Sequence, residues 1–286
     1  MPDSLNEHIE ALARAGTLSN GTPCRVIGAA VVKRLAEETG LSGRRVEMAA
    51  LRQKILPDRY LRNRKLLSET DQISLLGAAV CIVGLGGLGG LVTETLARMG
   101  VGRMTLIDGD TFESHNLNRQ LLSSTDGIGT AKAVAAAERV QTINPGIEVS
   151  ARSVYLTREN ALELVESCHI AVDCLDDIRS RFILEAATKH AGIPMVSAAV
   201  AGISGHVTTI FPDDRGLENI YGPEDRLTVV KGAETHLGCL APGVNLIASL
   251  ECVEVLKVLL GRDNTLKNRL LVVDLSDYTI ETLQFS

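Results

Sequence analysis

Residues 78–100 read AAVCIVGLGGLGGLVTETLARMG. Val80, Cys81, Ile82 and Val83 form an apolar run that leads into Gly84, Gly86 and Gly89, after which Leu91, Val92, Thr95, Leu96 and Met99 recur at helical spacing. The pattern predicts a buried strand, a tight turn and a helix. Each glycine has a reason. A side chain at Gly84 would obstruct the turn, one at Gly86 would hold a phosphate off the backbone, and one at Gly89 would push the helix from its strand. Unpaired N–H groups at the start of such a helix favour an anion, so a nucleotide site is expected here. A bare glycine turn gives the same letters; the flanking strand and helix favour the nucleotide.

Outward from this stretch, strands are expected at 79–83, 103–108, 148–155, 170–175 and 194–199, and helices at 88–99, 130–143, 158–168 and 178–190. This alternation predicts an α/β fold, a Rossmann-like, doubly wound, mostly parallel sheet covered on both faces. Residues 206–211 (HVTTIF) suit an antiparallel strand, and 213–238 form a polar, glycine-bearing connection too long for a turn, either a lid or binding segment or an ordinary insertion. An apolar helix over 244–260 follows. LLVVDL and YTIETLQF close the chain as a hairpin, placing antiparallel strands at the C-terminal edge of the sheet.

The first 70 or so residues differ, being charged and helical with no strand-like run. Helices are expected at 26–38 and 45–55, separated by TGLSG, whose glycines stop the first and whose serine can cap the second. LAEETGLSGRRVEMAAL resembles a helix-turn-helix, but any two short packed helices give that pattern. The expected division is a small helical extension over 1–56 and an α/β domain over 57–286.

A chain of 286 residues can bury a sizeable core, and 45% hydrophobic with 22% charged residues suits a soluble globular protein. No apolar run approaches the roughly 20 residues that span a bilayer. The opening MPDSLNEHIEALARAG lacks a hydrophobic targeting core, so a cytoplasmic location without membrane attachment is expected. A net charge of −6 argues against nucleic acid as a partner of the whole surface. Cys24, Cys81, Cys168, Cys174, Cys239 and Cys252 are scattered, with no CxxC pair and no Cys/His cluster at zinc spacing, so free thiols and no structural zinc are expected.

The chemistry gathers at the strand ends. Asp108 closes the second strand, where a carboxylate can accept hydrogen bonds from ribose hydroxyls; that suits NAD, FAD or ATP equally. Asn116, Asn118, Arg119 and Gln120 follow at the carboxyl edge. Arg119 with Lys132 gives two cations, more than one pyrophosphate requires, and a triphosphate fits better. In Asp173-Cys174-Leu175-Asp176-Asp177, Asp176 is a candidate magnesium ligand, because that ion takes one or two carboxylates plus phosphate oxygens and water. The alternative role, an N-cap for the following helix, fits Asp177 better. Arg59, Arg62, Arg64 and Lys65 bunch just after Pro57, a pattern that is usually a solvated face.

Together, Gly84 to Gly89, IDGD at 107–110, HNLNRQ at 115–120, Lys132, INP at 143–145, DCLD at 173–176 and CLAPGVNLIASLECVEVLKVL at 239–259 resemble the ThiF/MoeB/HesA family, relatives of the ubiquitin-activating enzymes, over about residues 57–286. The resemblance implies an ATP- and Mg2+-dependent adenylyltransferase. Its substrate would be the C-terminal glycine carboxylate of a small ubiquitin-fold sulfur-carrier protein ending in Gly-Gly, for thiamine, molybdopterin or related cofactor synthesis. It further implies that Gly84, Gly86 and Gly89 form the ATP loop and that Asp108 and Asp110 sit at the nucleotide. Asn116, Arg119 and Lys132 would hold the phosphates beside Asn118 and Gln120, and Asp176 would hold magnesium. Arg59-Tyr60-Leu61-Arg62-Asn63 resembles a family segment whose second arginine, here Arg62, reaches the ATP site of the partner in a homodimer; Asn63 replaces the usual glutamine. The paired CxxC zinc ligands of many relatives are absent, and no cysteine lies in 212–238. Cys239, at the end of that loop, is either packing or a low-pKa thiolate. Three alternatives stay open: adenylation of a peptide gripped by the N-terminal extension, an NAD-dependent oxidoreductase, which would leave Arg119, Lys132 and Asp176 unexplained, and an ATP-sensing DNA-binding protein.

Overall fold

The computed structural model describes residues 2–18, 20–227 and 232–285. The chain forms two compact units, one from Met1–Ala78, Leu96–Arg103 and Val140–Glu148, the other from Ala79–Thr95, Met104–Arg139 and Val149–Ser286.

The first unit opens with α1 (Pro2–Leu12), β1 (Arg14–Thr17), β2 (Pro23–Ile27), α2 (Ala29–Thr39), α3 (Gly43–Arg52), β3 (Ile55–Pro57) and α4 (Glu69–Gly77). The expectation of an all-helical segment fails here. A three-stranded sheet runs β1-β2-β3, antiparallel at Arg14↔Val26 and parallel at Arg25↔Ile55. Strands of four, five and three residues are too short to show period-two alternation. Val26, expected to begin a helix, is instead a buried strand residue; α2 starts only after Gly28, whose backbone is extended. Gly40 (φ 68°) stops α2 as expected, whereas Ser42 occupies the N-cap position of α3 without a side-chain cap bond. Ile9, Ile27, Leu35, Val46 and Ile55 form one apolar core of this unit, and Val26, Leu51, Tyr60 and Leu76 a second. At α4, Ser68 accepts the Asp71 N–H while Asp71 accepts the Ser68 N–H, a reciprocal cap that satisfies two helix-end donors.

The remaining elements are β4 (Ala79–Val83), α5 (Gly87–Met99), β5 (Arg103–Ile107), α6 (Lys132–Ile143), β6 (Glu148–Arg152), α7 (Ala161–Val165), β7 (Ile170–Asp173), α8 (Ile178–Ala191), β8 (Met195–Ala201), β9 (Ser204–Ile210), α9 (Glu218–Tyr221), α10 (Glu234–Leu237), α11 (Ala241–Leu259), β10 (Arg269–Asp274) and β11 (Thr279–Gln284). The eight strands form one sheet in the order β11-β10-β9-β8-β7-β4-β5-β6. β4, β7 and β8 run parallel, with Val80↔Ile170 and Ala171↔Met195 in register. From β8 outward the sheet turns antiparallel through β9, β10 and β11, which makes the C-terminal hairpin its edge. Every residue of β4 is buried, the continuous apolar run of a strand covered on both faces.

Several expected elements are shorter. Helix 130–143 begins only at Lys132, because Ala131 bridges Thr111 and Thr130 O accepts the Phe112 N–H. Helix 158–168 shrinks to α7, its approach held as a turn by Asn160 Oδ1 accepting the Thr157 N–H. The long connection carries α9, a 3-10 turn at Glu224–Arg226 and α10; its residues 228–231 lie outside the described residues. Among the described residues, no helix is long and apolar enough to cross a membrane.

The glycine turn joins β4 to α5 at close quarters. Gly84 has φ 87°, and a Cβ there would lie 2.6 Å from Cys174 O. A Cβ on Gly89 would fall 1.8 Å from Gly84 O, so the helix packs onto its own strand end only without a side chain. Gly89→Ala is therefore expected to lower stability by about 2–3 kcal/mol or more, as an overpacked site with rigid backbone on the other side. Urea denaturation checks this; an unchanged midpoint would mean that helix and strand are not in contact there.

Candidate active site

The carboxyl ends of β4, β5 and β7 open into a cleft of about 420 Å³. Gly84, Gly86 and Gly87 line one wall, and the first-turn N–H groups of α5 have no intrahelical acceptors. Asp108 braces this turn. Its Oδ2 accepts the Leu85 N–H at 2.7 Å and its Oδ1 the Asp110 N–H at 2.8 Å. Burial pushes the Asp108 carboxyl above its ordinary value, opposed by those backbone donors and by Lys132.

Lys132, at the start of α6, is almost wholly enclosed, and its Nζ lies 3.0 Å from Asp110 Oδ2. The Tyr155 hydroxyl donates to the other oxygen, Oδ1, at 2.7 Å. Burial works against ionisation of Asp110, but the Tyr155 hydroxyl and the Lys132 ammonium outweigh it and hold its carboxyl below the ordinary value. Arg119 lines the cleft and donates to His115 O at 3.2 Å and to Asn118 Oδ1 at 2.8 Å. Gln120 also lines it, buried, with an Oε1 that has no hydrogen-bond partner among the described residues and an Nε2 3.4 Å from where a Gly86 side chain would begin.

Asp176 lies in the cleft wall, exposed, and makes no hydrogen bond or ion pair with any described residue. Its neighbour Asp177 does the capping, accepting from the N–H groups of Arg179 and Ser180. No group of three or more His, Cys, Asp or Glu side chains that could hold a metal occurs among the described residues. A single unengaged carboxylate in this cleft nonetheless fits magnesium, whose other ligands are phosphate oxygens and water.

Beneath Asp176 lies a buried ion pair that sequence reasoning missed. Asp173 is fully buried at the end of β7, and Arg181 Nη1 donates to its Oδ2 at 3.0 Å and to Ala198 O at 2.7 Å. Arg181 Nη2 donates to Leu175 O, and Ser197 Oγ to Asp173 Oδ2 at 2.6 Å. One guanidinium thereby ties the end of β7 and the middle of β8 to the residue preceding Asp176. The signal was present: an aspartate inside an apolar strand needs a buried cation, and Arg181 stands one helical turn past the Asp177 cap. Tyr155 was missed too, since nothing marks a tyrosine at the end of an expected strand as a partner for Asp110.

Not every candidate reaches the cleft. Asn116 is buried, with its carboxamide accepting the Glu113 N–H at 2.9 Å, and Asn118 orients Arg119 from an exposed position outside the cleft lining. Arg62 belongs to the first unit, is exposed, and is not among the cleft residues. Cys239 lines the cleft, but burial raises its thiol more than Arg119 lowers it, and its Sγ sits 3.6 Å from Val200 O. A low-pKa thiolate is not what these surroundings favour.

A glycine turn at the carboxyl edge of a mostly parallel sheet, with enclosed cations facing an unengaged carboxylate, defines an α/β nucleotide-binding enzyme. The chain belongs to the ThiF family, whose model matches residues 60–286. It is 33% identical over 232 residues to the SAMP-activating enzyme E1 of Haloferax volcanii, covering 80% of this chain and 85% of that one. It is 35% identical over 228 residues to the sulfur carrier protein adenylyltransferase of Thermus thermophilus, covering 76% and 83%. Among solved structures, E. coli MccB with ATP superposes with a TM-score of 0.69 at 23% identity, over 80% of this chain and 72% of that one. The same enzyme with AMPCPP and MccA superposes over the same shares with a TM-score of 0.68. The protein is thus an adenylyltransferase of the ThiF type, a class that uses ATP, and the oxidoreductase alternative gives way.

Replacing Arg181 by Met would leave Asp173 buried and unpaired, a change that costs about 3–5 kcal/mol. A large fall in the unfolding midpoint is expected by denaturant titration; a midpoint within error of the parent would mean that Asp173 does not depend on this partner.

Proposed function

We propose that the enzyme adenylates the C-terminal glycine carboxylate of a small ubiquitin-fold sulfur-carrier protein ending in Gly-Gly, using Mg-ATP and releasing pyrophosphate. The observation that carries this is the gathering of Gly84, Gly86, Arg119, Lys132 and Asp176 along one cleft; relatives named for SAMP activation and for a sulfur carrier protein support the choice of substrate class. The glycine turn and first-turn amides of α5 receive phosphate oxygens, and Asp108 offers its remaining lone pairs to the ribose. Arg119 and Lys132 face the triphosphate, Lys132 exchanging part of its hold on Asp110 for phosphate oxygens. Magnesium held by Asp176 would neutralise phosphate charge. A carboxylate oxygen of the carrier attacks the α-phosphorus, forming the acyl–phosphate bond as the bond to pyrophosphate breaks. No protein nucleophile takes part, so alignment and charge neutralisation carry the catalysis. The enzyme acts as a homodimer in which Arg62 serves the partner's site, and sulfur delivery falls to another protein.

A peptide is the alternative substrate, gripped by the N-terminal extension. It is favoured by the likeness to MccB solved with MccA and by a compact first unit that lies largely outside the family match.

ATP–pyrophosphate exchange decides between them. Exchange is expected with a Gly-Gly-terminated carrier and to need Mg2+. Arg119→Ala and Asp176→Ala should each lower it by about 100-fold or more, as loss of a charge-stabilising group does. Full exchange in both variants would put the site elsewhere, and exchange supported only by a peptide would select the alternative substrate.

A further inference from the structure

The segment Arg59-Tyr60-Leu61-Arg62-Asn63 lies in the first unit, and four of its five side chains are fastened inward. Tyr60 is buried; its hydroxyl lies 3.2 Å from Glu47 Oε2 and accepts from Asn144 Nδ2 at 2.9 Å. Arg59 Nε stands 3.1 Å from Glu47 Oε1, an ion pair bent away from hydrogen-bond alignment, and its Nη1 donates to Ile143 O at 3.4 Å. Leu61 packs on the Tyr60 core. Asn63 Nδ2 donates to Gln72 Oε1 at 3.2 Å, and Gln72 Nε2 to Met99 O at 2.9 Å, so the asparagine that replaces glutamine keeps an anchoring role. Arg62 alone of the five points out, exposed and without a hydrogen-bond or ion-pair partner among the described residues.

The hub of these anchors is Glu47 on α3. Its side chain is 1% exposed, yet it carries a carboxylate against both Arg59 and Tyr60. An apolar residue would fill that space at lower cost, since a buried ion pair seldom adds net stability; what it adds is a fixed geometry. Glu47 also stands outside residues 60–286, the part that the family model matches.

We propose that Glu47 is a positioning residue which, together with Asn144, clamps Arg59 and Tyr60 so that the segment holds Arg62 outward for the partner subunit's ATP phosphates. This rests on the assignment of Arg62 to the partner's site. The carboxylate state matters to the clamp. Burial first, then nearby Asp58, push the Glu47 carboxyl up to about 7, against the pull of Arg59 and the Tyr60 hydroxyl. Asp58 itself is paired with Arg14 at 3.5 Å. Below that pH Glu47 is neutral and its hold on Arg59 weakens; above it the ion pair is complete.

The test is calorimetric titration of the full-length protein with Mg-ATP alone. Arg62→Ala, Tyr60→Phe and Glu47→Gln are each expected to weaken binding by about five- to tenfold, with Tyr60→Phe adding nothing in the Arg62→Ala background. From pH 6 to 8 the parent should gain affinity beyond the gain seen in Glu47→Gln, whose isosteric amide cannot titrate. Unchanged affinity in Arg62→Ala overturns the assignment of Arg62 and the clamp with it. A loss in Arg62→Ala joined by an equal further loss from Tyr60→Phe, or parallel pH profiles for parent and Glu47→Gln, overturns the clamp while leaving the Arg62 assignment standing. If Tyr60→Phe fails to fold, Glu47→Gln in the same two backgrounds gives the same decision.

Discussion

The carbonyl oxygen of Gly84 occupies the space that a side chain on Gly89 would need, and that exclusion sets the height of α5 above β4. With the helix seated so low, its first amides point over the end of β4, and Asp108 on the neighbouring strand can brace the turn through Leu85. The same turn leans on the backbone of Cys174, so the loop that carries Asp176 is set against it as well. The turn's amides and the loop carrying Asp176 thus share one steric constraint, to which Asp108 and Arg181 add their own hydrogen bonds.

Charge in the cleft is arranged in two grades. Lys132 and Arg181 are paired before any ligand arrives, with Asp110 and Asp173, while Arg119 rests only on neutral acceptors and Asp176 on none. Pre-paired cations cost less to keep in a low-dielectric cleft than bare ones, and the carboxylates that hold them also fix their aim.

Where a residue's place followed from chain chemistry, it was legible in the sequence. The glycine turn, Asp108, Lys132, Arg119 and Asp176 share one cleft because strand ends of a parallel sheet collect whatever follows them. The C-terminal antiparallel edge was equally readable from the two segments LLVVDL and YTIETLQF that close the chain. The β1-β2-β3 sheet was hidden, because three to five residues carry too little pattern and Val26 and Ile27 merge into the apolar spacing of α2. The asparagines misled for a different reason. In a turn, a carboxamide is most cheaply satisfied by its own backbone or a neighbour, as at Asn116, and no spacing rule separates that from a ligand contact. Arg181 went unread, since burial of a charge is decided by the partner it finds across the sheet.

The unit around Tyr60 draws on three separated stretches of chain, with Glu47 from the first and Asn144 from the last. A polypeptide trimmed to the family boundary near residue 60 would keep Tyr60, Leu76 and Asn144 yet shed Val26 and Leu51 from their core and the Glu47 carboxylate from the Tyr60 hydroxyl. Such a fragment would bare apolar side chains and leave the Tyr60 hydroxyl without its carboxylate, so the start of the family match is not a place where the molecule can be cut.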